Sequence, residues 1–352
     1  MSRIDHQPGP NLRLSVLDQT PVPEGSSGGD ALRNSIDLAQ LADSLGYHRY
    51  WLAEHHGTPG LACTSPEIMI GQVAAATRRI RVGSGGVMLP HYSPLKVAEN
   101  FSMLSGLFPG RIDLGIGRAA GTDANTSFAL QRDRRQRSPD DFPDQLDELL
   151  GYIGNRMPVH RPFAARVVLP GRPEMPEPWL LGSSQQSAIW AAELGLPYCF
   201  ADFINAAGAP IAAHYRDAFV PSERLLAPEL AVAVWVICAD DDEQATALAA
   251  SFRMMMALLI RGQLIAVPPP EVAQQFLDAE PDAAALSQHR RLIVGSPQTI
   301  RESIEAVAAE YGAEEVLLVN ILHDHTARRR SYELVADAFG MTARAAAAST
   351  AR

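Results

Sequence analysis

Strand-like and helix-like segments alternate along this chain almost from end to end, and that rhythm restricts the fold more than any other feature. Leu12–Asp18 (LRLSVLD) reads as a strand, and the DALRNSIDLAQLADSLG that follows carries apolar residues at helical spacing up to a stop at Gly46. A second strand is expected over His48–Glu54, then a helix from Ser65 and a third strand over Ile80–Leu89. Pro94 opens the next helix, Pro109-Gly110 closes it, and a fourth strand covers Arg111–Gly117. The second half continues with strands over Trp179–Gly182, Tyr198–Ile204, Glu229–Ala239 and Glu314–Leu322, interleaved with helical patterns. Eight such units rich in Val, Ile and Leu predict a parallel sheet buried on both faces. Eight regular units favour its closure into a (β/α)8 TIM barrel over an open doubly wound sheet.

A chain of 352 residues suits one decorated barrel. We therefore expect a single domain over residues 1–352, with insertions at its C-terminal face near residues 119–143, 153–178 and 262–288. The first carries QRDRRQRSPDD, which reads as a solvated loop, and the last contains Pro268-Pro269-Pro270, unsuited to a barrel strand or a helix interior. The terminal RAAAASTAR reads as a frayed helical tail. An apolar content of 47% against 20% charged residues excludes general disorder. The net charge of -10 argues against nucleic acid as a partner. No apolar run is long enough for a membrane span and the N-terminus lacks a signal-peptide core, so a cytoplasmic location is expected. Cys63, Cys199 and Cys238 lie far apart and read as buried thiols in a reducing compartment.

In such a barrel the active site gathers at the C-terminal ends of the strands. The second strand ends at Glu54-His55-His56, the third at Gly83-Ser84-Gly85-Gly86, the fourth at Gly117-Arg118, the fifth at Gly182-Ser183-Ser184 and the sixth at Asp202. A histidine facing a pocket there would serve as a general base, unless both merely bond the loop. No accompanying cluster has metal-ligand spacing, so no metal site is expected. Arg118 after two glycines suits an anion, and Ser183, Ser184 and Ser187 at a helix start suit a phosphate. Gly85-Gly86 in an otherwise β-branched strand indicates either backbone laid against a flat ligand or a bulge. Neither a GxGxxG opening the first helix nor a P-loop is present.

The segments YHRYWLAEHHG, RIRVGSGGVMLPHYSPLKVAENF, FPGRIDLGIGRAAGTD and WLLGSSQQSAIWAAELGLP, in this order, resemble the bacterial luciferase-like flavin-dependent monooxygenase family over nearly the whole chain. The resemblance implies an oxidoreductase that takes reduced, dissociable FMN and O2, forms a C4a-peroxyflavin and oxygenates a small organic substrate. It implies His55 as the catalytic histidine with Glu54 or His56 orienting it, and Gly85-Gly86 as a cis peptide beneath the flavin ring. It further places Arg118, Ser183, Ser184 and Ser187 on the flavin phosphate. Gly117 replaces a cysteine found near the flavin in the catalytic luciferase subunit, a departure expected to leave more room. The stretch from Gly262 resembles the family's lid, and Trp51, Met88, Tyr92 and Phe203 are candidate pocket walls. A separate NAD(P)H:flavin reductase would supply the reduced FMN, and Ile68, Val73, Val97 and Met103 would form a homodimer face. Three alternatives stand beside this reading: an F420-dependent hydride-transfer oxidoreductase on the same barrel, a non-catalytic flavin-binding protein, and a barrel acting on a phosphorylated metabolite.

Overall fold

The computed structural model describes residues 12–118, 121–131, 134, 135, 141–154, 170, 175–286 and 290–341. Nine strands run through them: β1 (Arg13–Asp18), β2 (Arg49–Leu52), β3 (Arg81–Met88), β4 (Ile112–Gly117), β5 (Glu177–Gly182), β6 (Tyr198–Ala201), β7 (Leu230–Cys238), β8 (Leu292–Gly295) and β9 (Glu315–Val319). Every pairing between them is parallel, and eight close a ring in the order β1-β2-β3-β4-β5-β6-β7-β9 and back to β1. This is the closed barrel that the alternation predicts.

The ninth strand was not expected. β6 pairs with β7 as far as Ala233, and β8 then takes the same edge from Trp235 to Cys238 while β9 holds the other. The strand expected over Tyr198–Ile204 accordingly stops at Ala201, and the chain turns there.

The helices form the outer layer: α1 (Gly28–Leu45), α2 (Pro66–Ala76), α3 (Pro94–Leu107), α4 (Ala124–Leu130), α5 (Phe142–Gly154), α6 (Gln185–Glu193), α7 (Ala209–Asp217), α8 (Asp242–Ile260), α9 (Pro270–Ala279), α10 (Pro281–Leu286), α11 (Pro297–Tyr311) and α12 (His325–Ala338). Local chemistry sets their ends. Ser27 and Asp30 make a reciprocal capping box at the start of α1, and Gly46 closes it in the left-handed region at φ 87°. Pro66, Pro94, Pro270 and Pro297 each sit in a first helical turn, where a missing N–H costs nothing. The insertion near 262–288 is therefore not an irregular loop, since α9 and α10 occupy much of it and pack on α8. Most of the insertion near 153–178, part of QRDRRQRSPDD and the RAAAASTAR tail lie outside the described residues.

Side chains pointing into the barrel are graded by size and charge along its axis. At the N-terminal end the buried Arg49 guanidinium binds Asp113 at 2.9 Å and Glu315 at 2.7 Å, and it lies 4.4 Å from the Trp179 ring. Trp51 meets Trp179 edge to face at 5.4 Å and donates its indole N–H to Asp113. These groups plug the ring. Towards the C-terminal end the inward positions shrink to Ala53, Gly85, Gly117, Ala201 and Ala233, and the space they leave becomes a cavity. Outside the ring, a second apolar layer of Val, Ile and Leu packs the strands onto the helices.

Candidate active site

Two adjoining cavities open at the C-terminal end of the barrel. The first, about 390 Å³, is lined by Leu17, Ala53, Gly85, Gly86, Met88 and Arg118, and by Ser183, Ser184 and Ser187 at the start of α6. The second, about 530 Å³, lies beyond it among Trp235, Met255, Met256, Leu264, Ile265 and Arg290. Gln19, His55, Gly121, Phe203 and Ile204 line both and form the wall between them.

The turn after β2 supplies the central group. Glu54 is buried, yet its two oxygens are engaged, one accepting the Met88 backbone N–H at 2.9 Å and the other 2.8 Å from His56 Nε2. Glu54 thus ties the ends of β2 and β3 together and orients His56. It does not bond His55, and His56 does not either, so the expected orienting role is not seen. The His55 backbone N–H donates to the Cys63 carbonyl at 2.9 Å, while its ring Nδ1 is buried without a hydrogen-bond partner among the described residues. Burial, with the neighbouring His56, pushes the His55 pKa down to about 4. The imidazole is therefore neutral at physiological pH. His56 faces the second cavity and packs edge to face on His91 at 5.8 Å.

The bulge reading of Gly85-Gly86 is met. The peptide between them is cis, and the pairing of β3 with β4 shifts register between Ser84 and Val87. A Cβ on Gly85 would collide with Leu17 and come within 3.0 Å of Trp51 Cβ, and one on Gly86 would fall 2.8 Å from the Gly115 carbonyl. Only glycine lets the backbone settle this low, and the pair forms part of the first cavity's floor.

The polar end of the first cavity is formed by Arg118, its guanidinium 5.5 Å from the Trp190 ring, and by the α6 N-terminus. Ser184 caps that helix through the Ser187 N–H, and Asn205 donates to the Ser183 carbonyl at 3.1 Å. The Ser187 hydroxyl is already occupied, lying 2.8 Å from the Tyr198 hydroxyl and donating to the Ser184 carbonyl at 2.7 Å. Its contribution is to hold the cap. Gly117 does not leave the extra room expected of it, because the Met88 thioether fills the space; a Cβ there would lie 2.9 Å from Met88 Cε.

Of the candidate walls, Met88 and Phe203 line the cavities, whereas Trp51 is buried beneath the Gly85 floor. Tyr92 borders neither cavity. Asp202 faces away, accepting the Tyr311 hydroxyl at 2.8 Å beside Arg291. Gln19 escaped the sequence reading although it borders both cavities at 5% exposure. The strand-end rule, extended to β1, would have found it. Among the described residues no group of three or more His, Cys, Asp or Glu side chains could hold a metal ion, and no helix is long and apolar enough to cross a membrane.

The site is thus a two-chambered mouth of a parallel eight-stranded barrel, with a cation at one end of a glycine-floored cavity and a neutral histidine between that cavity and a more apolar one. The chain belongs to the luciferase-like monooxygenase family, whose sequence profile matches residues 12–315. It is 40% identical to a luciferase-like monooxygenase of Escherichia coli K12, over 93% of this chain and 96% of that one. It is 36% identical to the N-acetyl-S-alkylcysteine monooxygenase of Bacillus subtilis, over 93% and 98% of the two chains. The solved structure of apo-MsnO8 superposes with a TM-score of 0.86 at 42% identity, covering 94% of this chain and 99% of the other.

Proposed function

We propose that the protein is a two-component monooxygenase that takes reduced FMN in the first cavity and uses O2 to oxygenate a small organic substrate in the second. The observation that carries this reading is the shared wall: His55 borders both cavities, so one group can serve a cofactor and a substrate together. The first cavity fits FMN in its chemistry. Its apolar body is bounded by small side chains, and its one polar end combines a guanidinium with helix N–H groups and hydroxyls suited to a phosphate. When bound, reduced FMN supplies the electrons that activate oxygen.

The protein's own residues bind, shape and shield. Arg118, Ser183 and Ser184 would hold the phosphate, while Ser187 keeps the helix start in place. The Gly85-Gly86 floor, with Leu17 beside it, would give the flavin ring a flat surface to bind against. His55, neutral at working pH, can take up or return a proton at Nδ1, the ring nitrogen without a hydrogen-bond partner among the described residues. The apolar second cavity limits water beside the reacting groups. We extend the reading to a cytoplasmic enzyme fed by a separate NAD(P)H:flavin reductase. A homodimer would use the faces of α2 and α3, where Ile68 and Met103 are 66% and 52% exposed. Val73 and Val97, expected on that face, pack inward instead.

The test is an anaerobic titration with reduced FMN and, separately, with reduced F420, each complex then being mixed with oxygen. Tight reduced-FMN binding followed by rapid oxygen consumption supports the proposal. Preference for F420 without oxygen reactivity would replace it with a hydride-transfer enzyme.

A further inference from the structure

The second cavity holds one feature that an apolar chamber does not need. Arg290 lies on its lining, half-buried, with its guanidinium 5.9 Å from the Trp235 ring. Among the described residues it forms no ion pair and no hydrogen bond. Asp123, the carboxylate on the same lining, is engaged elsewhere, accepting the backbone N–H groups of Asn125 and Thr126 and the Thr126 hydroxyl. Beneath the guanidinium the Trp235 indole N–H is buried and equally without an acceptor. Taking a guanidinium partly out of water with no counter-charge is unfavourable, and a ligand anion removes that cost. Its planar fork matches a carboxylate in particular.

Arg290 borders only the second cavity and Arg118 only the first. We infer that Arg290 is the specificity-determining residue for a small organic acid, whose carboxylate it binds while the apolar body of that acid fills the second cavity towards His55. This inference rests on reading that cavity as the substrate's. Its apolar walls, among them Phe203, Met255, Met256, Leu264 and Ile265, favour an apolar body for that acid, alongside polar lining from Gln19, Thr58 and Gln263. A volume of about 530 Å³ admits roughly eighteen water-sized heavy atoms at liquid density.

Calorimetric titration of the flavin-free protein with octanoate and with 1-octanol tests the inference. Octanoate is expected to bind about ten- to a hundredfold more tightly, the range of one charge-assisted hydrogen-bonded pair. Arg290→Met should abolish the preference while leaving octanol affinity within about twofold, which also shows that the variant is folded. Arg290→Lys should keep part of the preference, and Arg118→Ala all of it. Equal affinity for acid and alcohol, binding of neither, or a preference that survives Arg290→Met would overturn the assignment. Loss of the preference in Arg118→Ala would overturn it too, by placing the anion in the first cavity. Reduced FMN is titrated against the same variants. Failure of FMN binding with an intact, Arg290-dependent acid preference would refute the flavin reading alone, and intact FMN binding without that preference would refute this inference alone.

Discussion

Replacing His55 with Gln removes a histidine that burial keeps from protonating, and the consequence can be worked out. An unfolded histidine takes up a proton as pH falls through about 6.5, whereas His55 in the fold does so only near 4. Between those values the unfolded chain binds more protons, so the folded state loses stability as pH drops. The penalty is absent above pH 6.5 and complete below about 4. Fully expressed, a fall from 6.5 to about 4 corresponds to ~3 kcal/mol, of which ~2 kcal/mol has accumulated by pH 5.0. One edge of the ring borders open cavities that admit water, which screens the effect, so we take ~1 kcal/mol as the expected difference. The assay is urea unfolding of flavin-free wild type and His55→Gln at pH 7.5 and pH 5.0. Wild type should lose ~1 kcal/mol more than the variant between the two pH values. Any change in packing from the substitution cancels, because each protein is compared with itself. Equal losses would show that His55 titrates normally, and the argument for a neutral imidazole in the wall would fall.

Three further outcomes follow from the geometry. Arg118→Ala should weaken reduced FMN about ten- to a hundredfold in equilibrium titration and phosphate-free riboflavin by under about threefold; equal losses would remove Arg118 from the phosphate. Gly117→Ala should cost under ~1 kcal/mol in urea, since only the flexible tip of Met88 must move, but should lower reduced-FMN affinity about fivefold by driving that tip into the first cavity. Adding Met88→Ala should restore the affinity, and absence of rescue would show that the thioether is not what fills the space. Arg49→Met should destabilise the protein by about 3–5 kcal/mol in urea unfolding, because Asp113 and Glu315 would lose a buried counter-charge; a change below ~1 kcal/mol would mean water reaches the plug.

The ring of strands was legible because its strands carry runs of Val, Ile and Leu or, in β2 and β6, aromatic residues that can be read against the helical pattern beside them. β8 was not, since its four residues follow a polar stretch and pair with only the upper part of β7. The proline run near 268–270 was read correctly as a break, yet it starts α9 instead of prolonging a loop. In the site, residue types at strand ends were sufficient to bring His55, Arg118 and the glycine pair to one mouth. They did not reveal who bonds whom. That Glu54 turns to His56 is a choice of side-chain orientation within one turn, while Ser187 spending its hydroxyl on Tyr198 and Met88 filling the space over Gly117 are outcomes of packing between separate elements. Gln19 and Arg290 were missed for different reasons. The first follows a strand whose end was not considered, and the second lies in an insertion boundary with no motif around it.

The gradation of side chains along the barrel axis divides the molecule into a part that keeps the fold and a part free to vary. Arg49, Asp113, Glu315 and the two tryptophans at the closed end depend on one another, so a change in any of them is felt by all. Ala53, Ala201 and Ala233 at the open end take no part in that network of ion pairs and hydrogen bonds, although Ala53 and Ala233 share an apolar cluster with the two tryptophans. Each can gain a methyl or two at the expense of cavity volume and leave the plug intact. A descendant of this chain could therefore refit the first cavity by resizing three alanines, with the stability reserve held at the opposite end of the same strands.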